Sequence, residues 1–331
     1  MSISTATEVR RRQPQSREDE LITFAVGLAD GIAEARANSR KITWPSPRYR
    51  DAPVAFFREV LGVDPWHRQI EIIEAVRDHK RVAVRSGHKV SKSHSAAGLA
   101  LWFFCSFDDA RVVMTSTTAR QVDDILWREL RMVLHRSGVC AACKAADRAA
   151  YPDQPHLHTR APCEHSTLIP EEPAEKAKTG LHSADFREVV GFTAKEAEAV
   201  AGVSGKNLLY IVDEASGVRQ EIFEAIEGNR AGGARILMLS NPTKNEGEHF
   251  DAFHSKKHLY KTVTVSSEET PNVVERRLVI PGLCEHEFVD EKKEEWGEES
   301  ALYKIRVKGI HALHEDGKIF SVHTITMAED R

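Results

Sequence analysis

Arg85-Ser86-Gly87-His88-Lys89-Val90-Ser91-Lys92-Ser93 is the stretch that decides how this chain is read. It follows a short apolar strand, Arg81 to Val84, and precedes a helix-forming run through Ala96, Ala97, Leu99 and Leu101. A loop passing from a strand into a helix turns backbone N–H groups and the positive end of the helix dipole toward an anion. The usual phosphate-loop pattern is G-x-x-x-x-G-K-[ST]. Here Ser86 and Ser91 hold the two glycine positions, and a glycine follows one place later at Gly87. The chemistry survives the change. Lys92 is spaced to reach β and γ phosphates, and Ser93 to ligate Mg²⁺. Arg85 and Lys89 add positive charge. The plainer alternative is a basic surface turn.

Leu208-Leu209-Tyr210-Ile211-Val212 is a buried-strand pattern that ends on Asp213-Glu214. Asp213 is expected to hold Mg²⁺, directly or through water, and Glu214 to polarise an attacking water. Alone, the pair is an ordinary strand end turning into a charged loop. Combined with the upstream loop it completes a phosphate cradle, a metal ligand and a base, which points to ATP hydrolysis. Ile236-Leu237-Met238-Leu239 is a further strand, ending on Ser240-Asn241-Pro242-Thr243. Asn241 is placed to sense a γ-phosphate; a plain Asn-Pro turn is the alternative.

These strands alternate with helical stretches, which predicts a parallel sheet covered on both faces. Arg111 to Thr115 is another strand, leading into a helix from Gln121 to Leu134. Pro65-Trp66-His67-Arg68-Gln69 opens a helix ending near His79, Val54 to Leu61 is helical, and Glu20 to Ala37 has helical periodicity. Phe186 to Val190 resumes the regular pattern after a break. The chain has 331 residues, 41% hydrophobic, with a formal net charge of -4. A nucleic-acid partner would therefore need a local basic patch or a surface built by several subunits. No run of roughly 18 apolar residues occurs, so no membrane span is expected. Five cysteines are too few and too unevenly spaced for a disulfide scaffold, which favours a reducing, cytoplasmic setting.

The ordered set of motifs resembles the large terminase subunit, the ATP-driven packaging motor of tailed bacteriophages. Trp66-His67-Arg68-Gln69 resembles its adenine-proximal glutamine motif, and Arg85 to Ser93 its deviant Walker A. Thr115 to Val122 resembles its motif Ia, Val212-Asp213-Glu214-Ala215 its Walker B, and Ser240-Asn241-Pro242 its coupling motif. Trp296 to Ser300, with Tyr303, Arg306, Val307 and Gly309, resembles the end of its ATPase region. The resemblance implies an α/β P-loop NTPase of the ASCE, RecA-like type, with a small C-terminal lid. It implies ATP and Mg²⁺ as cofactors, Gln69 and residues 86 to 93 as the nucleotide site, and Arg85 as an arginine finger in cis. Arg187, Arg219 and Arg230 are further finger candidates. It also implies double-stranded DNA, a portal protein and a small terminase subunit as partners, a ring of five subunits, and the cytoplasm of an infected bacterium. No nuclease activity is expected of this chain. A helicase-like translocase, or a nucleotide-gated scaffold with weak turnover, is the alternative.

Gly138 to Ser166 breaks the periodicity and is rich in Cys, His, Pro and Asp. Cys140-Ala141-Ala142-Cys143 is a C-x2-C knuckle, and Cys163 and His165 follow. Four such ligands suit tetrahedral zinc, and an ordinary loop with free thiols is the alternative. His156 and His158 are substitute ligands. The expected division is an N-terminal arm over residues 1–45, an ATPase core over 46–245 and a lid over 246–331.

Overall fold

The computed structural model describes residues 44–150, 180–183, 185–193 and 202–312. A seven-stranded sheet runs in the order β3-β4-β2-β5-β6-β1-β7. Its strands are β1 (Arg81–Ser86), β2 (Ala110–Ser116), β3 (Gly180–His182), β4 (Glu188–Thr193), β5 (Asn207–Asp213), β6 (Arg235–Ser240) and β7 (Lys261–Val265). All neighbours pair in parallel except β3, which lies antiparallel to β4. β6 sits between β1 and β5, with Val84 beside Leu239 and Leu239 beside Asp213. The loop strand and the acid strand therefore end at one edge, where chain connections diverge and ligand sites form in such sheets.

Strand alternation sorts the side chains into two cores. Val82, Val84, Leu209, Ile211, Leu237 and Leu239 face one side, under the helices α1 (Pro53–Glu59), α2 (His67–Asp78), α3 (Lys92–Ser106) and α4 (Trp127–His135). Ala83, Tyr210, Val212, Ile236 and Met238 face the other side, under α6 (Gln220–Arg230). The helix α5 (Ala141–Ala150) contacts α1, and α7 (His286–Trp296) packs against the C-terminal turns. The π-helical turn Gln121–Leu126 leads directly into α4.

The helix α3 is buried along its whole length from Ser95 to Ser106. Its run of Leu99, Leu101, Trp102, Phe103 and Phe104 has no polar face, so it can exist only between the sheet and its covering helices. Each such side chain contributes about 2 kcal/mol on burial. The loop at its N-terminus is thus tied to one of the best-anchored elements of the fold. Trp127 is buried against Gly191, the packing role its position on the helix predicts.

The structure adds two strands that sequence periodicity does not show, β3 and β7. β7 pairs with β1 through Val82 to Ser86. The sequence after residue 245 therefore completes the main sheet before it forms the short turns that follow. Phe186 lies outside the strand expected there, in a turn at φ 66, and β4 begins two residues later. Glu20 to Ala37 lie outside the described residues.

Candidate active site

The site is built where β1, β5 and β6 end. The Lys92 ammonium donates to Ser86 Oγ at 3.0 Å, to Gly87 O at 3.3 Å and to Asn241 Oδ1 at 3.2 Å. The Asn241 amide in turn donates to Ser86 O at 2.6 Å. Burial lowers the Lys92 pKa, and the negative charges of Asp213 and Glu214 work against that fall. The lysine-bearing turn and the carboxylate-tipped strand thus converge, as their spacing predicts.

Asp213 is 4% exposed, and its Oδ1 has no hydrogen-bond partner among the described residues. Burial first, then the neighbouring Glu214 charge, raises its pKa to about 6, with Lys92 pulling the other way. A buried carboxylate oxygen without a donor is costly. A hard divalent cation would satisfy it, because oxygen ligands suit Mg²⁺. Ser93, the residue expected to offer a hydroxyl to such a cation, lies in the first turn of α3. Glu214 sits in the left-handed region at φ 49, ψ 40, directly after Asp213, and is partly exposed.

Ser91 caps α3 at φ 71, ψ 34. This is the left-handed conformation that the glycine of the usual pattern provides, and serine adopts it at a cost of about 1–2 kcal/mol. Lys89 is also left-handed, at φ 54. The first N–H groups of α3 have no intrahelical acceptor, as at any helix start, so they remain for an anion.

Beneath the loop, the C-terminal turns hold it from the far side. Gly87 N donates to Val265 O at 2.9 Å, His88 N to Arg306 O at 2.7 Å and Cys284 N to Lys89 O at 2.8 Å. Ser267 Oγ donates to His88 O at 2.8 Å. Gly309, at φ 67, passes so close that a Cβ would stand 2.4 Å from Ser86 C and 2.5 Å from Gly87 N. Burial, and then the charges of Lys92, Arg306 and Lys89, lower the His88 pKa. Val90 is buried, and Lys89 is exposed.

Three expected roles differ from the geometry. Arg85 alternates with Ser86 along β1 and so points to the opposite face. Its Nε donates to Thr264 Oγ1 at 3.0 Å, its Nη1 to His311 Nδ1 at 3.2 Å, and its guanidinium lies 4.6 Å from the Phe253 ring centre. The structure does not bring it to the Lys92 cluster, which a finger acting in cis requires. Gln69 is 5% exposed and its amide is engaged. Its Oε1 accepts from Trp66 N at 3.3 Å, and its Nε2 donates to Ser95 Oγ, which donates to Ser91 O at 3.1 Å. It is a strut that fixes the Ser91 corner from within the core. Arg187 is buried and donates to Asp185 and to Phe104 O, and Arg230 pairs with Glu227 at the far edge of the sheet.

Ser240, Asn241 and Pro242 form the corner after β6, all buried. Ser216 ties that corner to the turn after Glu214. Its N–H donates to Ser240 Oγ at 3.2 Å, its Oγ donates to Asn241 O at 2.9 Å and stands 2.9 Å from Thr243 Oγ1. Sequence reasoning did not single out Ser216 or Thr243; hydroxyls in turns carry no spacing signal. The Thr118 hydroxyl donates to Gln121 Oε1 at 3.0 Å and accepts from Gln121 N at 3.2 Å, and Thr117 packs beside Gly217.

Cys140 is buried and Cys143 partly buried, at the start of α5. Cys163, His165, His156 and His158 lie outside the described residues. No group of three or more His, Cys, Asp or Glu able to hold a metal ion occurs among the described residues. No helix among them is long and apolar enough to cross a membrane.

No protein-family model matches the chain. It is 27% identical over 313 residues to the probable terminase large subunit of Enterobacteria phage P7, an alignment covering 86% of this chain and 55% of that protein. In sequence, the chain is similar to a phage terminase large subunit. The chain spans about half the length of that relative. In fold it is similar to a variant of the Thermus phage P74-26 large terminase ATPase domain, at a TM-score of 0.50 and 16% identity. That match covers 82% of this chain and 100% of the domain.

Proposed function

We propose that this chain is an ATP-hydrolysing motor that moves double-stranded DNA into a phage procapsid. The observation that carries the proposal is the convergence of Lys92, Asn241 and Asp213, whose Oδ1 has no hydrogen-bond partner among the described residues, at the open start of α3. The loop N–H groups and Lys92 would bind the β and γ phosphates, since both present positive charge to the same point. Ser93 and Asp213 would hold Mg²⁺, which when bound neutralises charge developing on the phosphates. Glu214, adjacent and partly exposed, would orient the attacking water and accept its proton. Asn241 already holds the Lys92 ammonium and would exchange that contact for the γ-phosphate when nucleotide enters. The hydroxyls of Ser216, Ser240 and Thr243 would then pass the displacement from the β5 end to the β6 corner.

The terminase resemblance extends the proposal to a portal protein, a small terminase subunit and a ring of five subunits in the infected host's cytoplasm. An arginine acting on the γ-phosphate would come from a residue other than Arg85 in its present contacts. The test is ATP turnover by the purified chain, with and without double-stranded DNA. DNA-stimulated turnover that Lys92→Ala abolishes supports the motor. Turnover that stays negligible with DNA present contradicts it.

A further inference from the structure

At the edge of the sheet opposite the loop, a cleft of about 600 Å³ opens between the starts of β1 and β7 and the end of α6. Its walls include His79, Lys80, Arg81, Arg230, His258 and Lys261. Four of these are permanently cationic. The acid in direct contact with them is Glu227, shared by Arg81 at 2.6 Å and Arg230 at 2.7 Å. The chain as a whole has a net charge of -4, so this positive field is local.

The cleft is also short of partners. Arg81 Nε and Arg230 Nε are buried with no hydrogen-bond partner among the described residues. Lys80 and Lys261 are exposed, and no salt bridge among the described residues includes either. The carbonyls ending α2 would repel an anion, but Arg235 covers them by donating to Val76 O, Arg77 O and His79 O. Gly233, at φ 93, has nothing near its missing Cβ except Lys80 Nζ, so the turn beneath the lysine is open to a ligand.

We infer that this cleft binds the phosphate backbone of nucleic acid. The cations come from the starts of two neighbouring strands, Lys80 and Arg81 at β1 and Lys261 at β7, and from Arg230 at the end of α6. The two strand starts stand about 4.8 Å apart, so these cations form a short row. That row suits about two successive phosphates of one DNA strand, spaced about 3.4 Å along the axis. A single small anion would need donors converging on one point. The row lies about 17 Å along β1 from the nucleotide loop, so DNA and ATP do not compete for it. The choice of nucleic acid over another polyanion rests on the DNA-motor reading above.

The test measures binding of a short random-sequence duplex to the full chain, without nucleotide, by fluorescence anisotropy across 50–200 mM salt. A Lys80→Ala, Lys261→Ala double variant removes two side chains that hold nothing else. Each lost contact removes about 0.9 from the slope of log affinity against log salt, so the double variant is expected to lose about 1.8. At 0.1 M salt that corresponds to about 60-fold weaker binding. Turnover of ATP without DNA should stay unchanged in the variant. An unchanged slope and affinity would overturn the inference, as would absence of salt-dependent binding by the wild type. Polyglutamate displacing the duplex as well as a second duplex does would also overturn it, marking a seat for acidic protein. If the salt result holds while neither protein hydrolyses ATP, the cleft stands and the motor reading falls.

Discussion

Replacing Asp213 with asparagine in the nucleotide-free protein should remove a specific pH dependence of stability. Burial beside Glu214 raises the Asp213 carboxyl from the ordinary 3.8 to about 6. One pKa unit corresponds to about 1.4 kcal/mol, so the ionised folded state carries a cost of about 3 kcal/mol. A raised carboxyl holds its proton more tightly folded than unfolded. Stability is therefore highest below the unfolded value, falls as pH climbs from about 4 to about 6, and is level above that. The assay is urea unfolding at closely spaced pH values for the wild type and D213N. With a slope of roughly 2–3 kcal/mol per molar urea, the predicted loss moves the midpoint by about 1 M. The readout is the difference between the two proteins, which cancels other groups titrating in the window. D213N should gain on the wild type across that interval, less whatever Lys92 loses when its counter-charge goes. Parallel profiles, or a wild type that gains on D213N as pH rises, would refute the reasoning.

Glu214→Gln should lower ATP turnover by about 10²–10⁴-fold, the usual range for a lost general base, and leave nucleotide affinity nearly unchanged; single-turnover kinetics and equilibrium binding separate the two. Ser91→Gly should stabilise the protein by about 0.5–1 kcal/mol, because relief of the left-handed serine outweighs the added freedom of the unfolded chain. Its unfolding midpoint should rise, and a fall would show that the serine hydroxyl matters more than the backbone. Gly309→Ala should cost about 2 kcal/mol or more, since the new methyl group meets backbone atoms of Ser86 and Gly87 at a left-handed position. It should weaken nucleotide binding as well, read by titration with a fluorescent ATP analogue; an unchanged affinity would separate the C-terminal turns from loop geometry.

The central strands were legible because each is a buried apolar run: Val82 to Val84, Val112 to Met114, Leu208 to Val212, and Ile236 to Leu239. β7 alternates Lys261, Thr262, Val263, Thr264 and Val265 at the sheet edge, and β3 has three residues, so neither carries enough apolar pattern to stand out. The turn at Phe186 displaced the start of β4 because its conformation depends on Ser183 and Arg187 bonding across it. Within the site, Lys92, Asp213 and Asn241 could be found from local spacing, since each ends or begins an element. The pairing of Gln69 with Ser95, and of Arg85 with Thr264 and His311, could not. Those partners are 26, 179 and 226 residues away in sequence. The direction of Arg85 follows from strand alternation once Ser86 is known to face Lys92. The Ser91 conformation was an open question in sequence and is settled by its left-handed angles.

The account turns on a triphosphate and its metal meeting Lys92 and Asp213 at one sheet edge. The most direct measurement is calorimetric titration of the full chain with ATP, once with Mg²⁺ and once with a chelator, repeated for D213N and K92A. Tight binding that weakens at least about tenfold, or 1.4 kcal/mol, on chelation, with that dependence gone in D213N and binding gone in K92A, is the predicted result. ATP binding with equal affinity in all three proteins, indifferent to Mg²⁺, would contradict it.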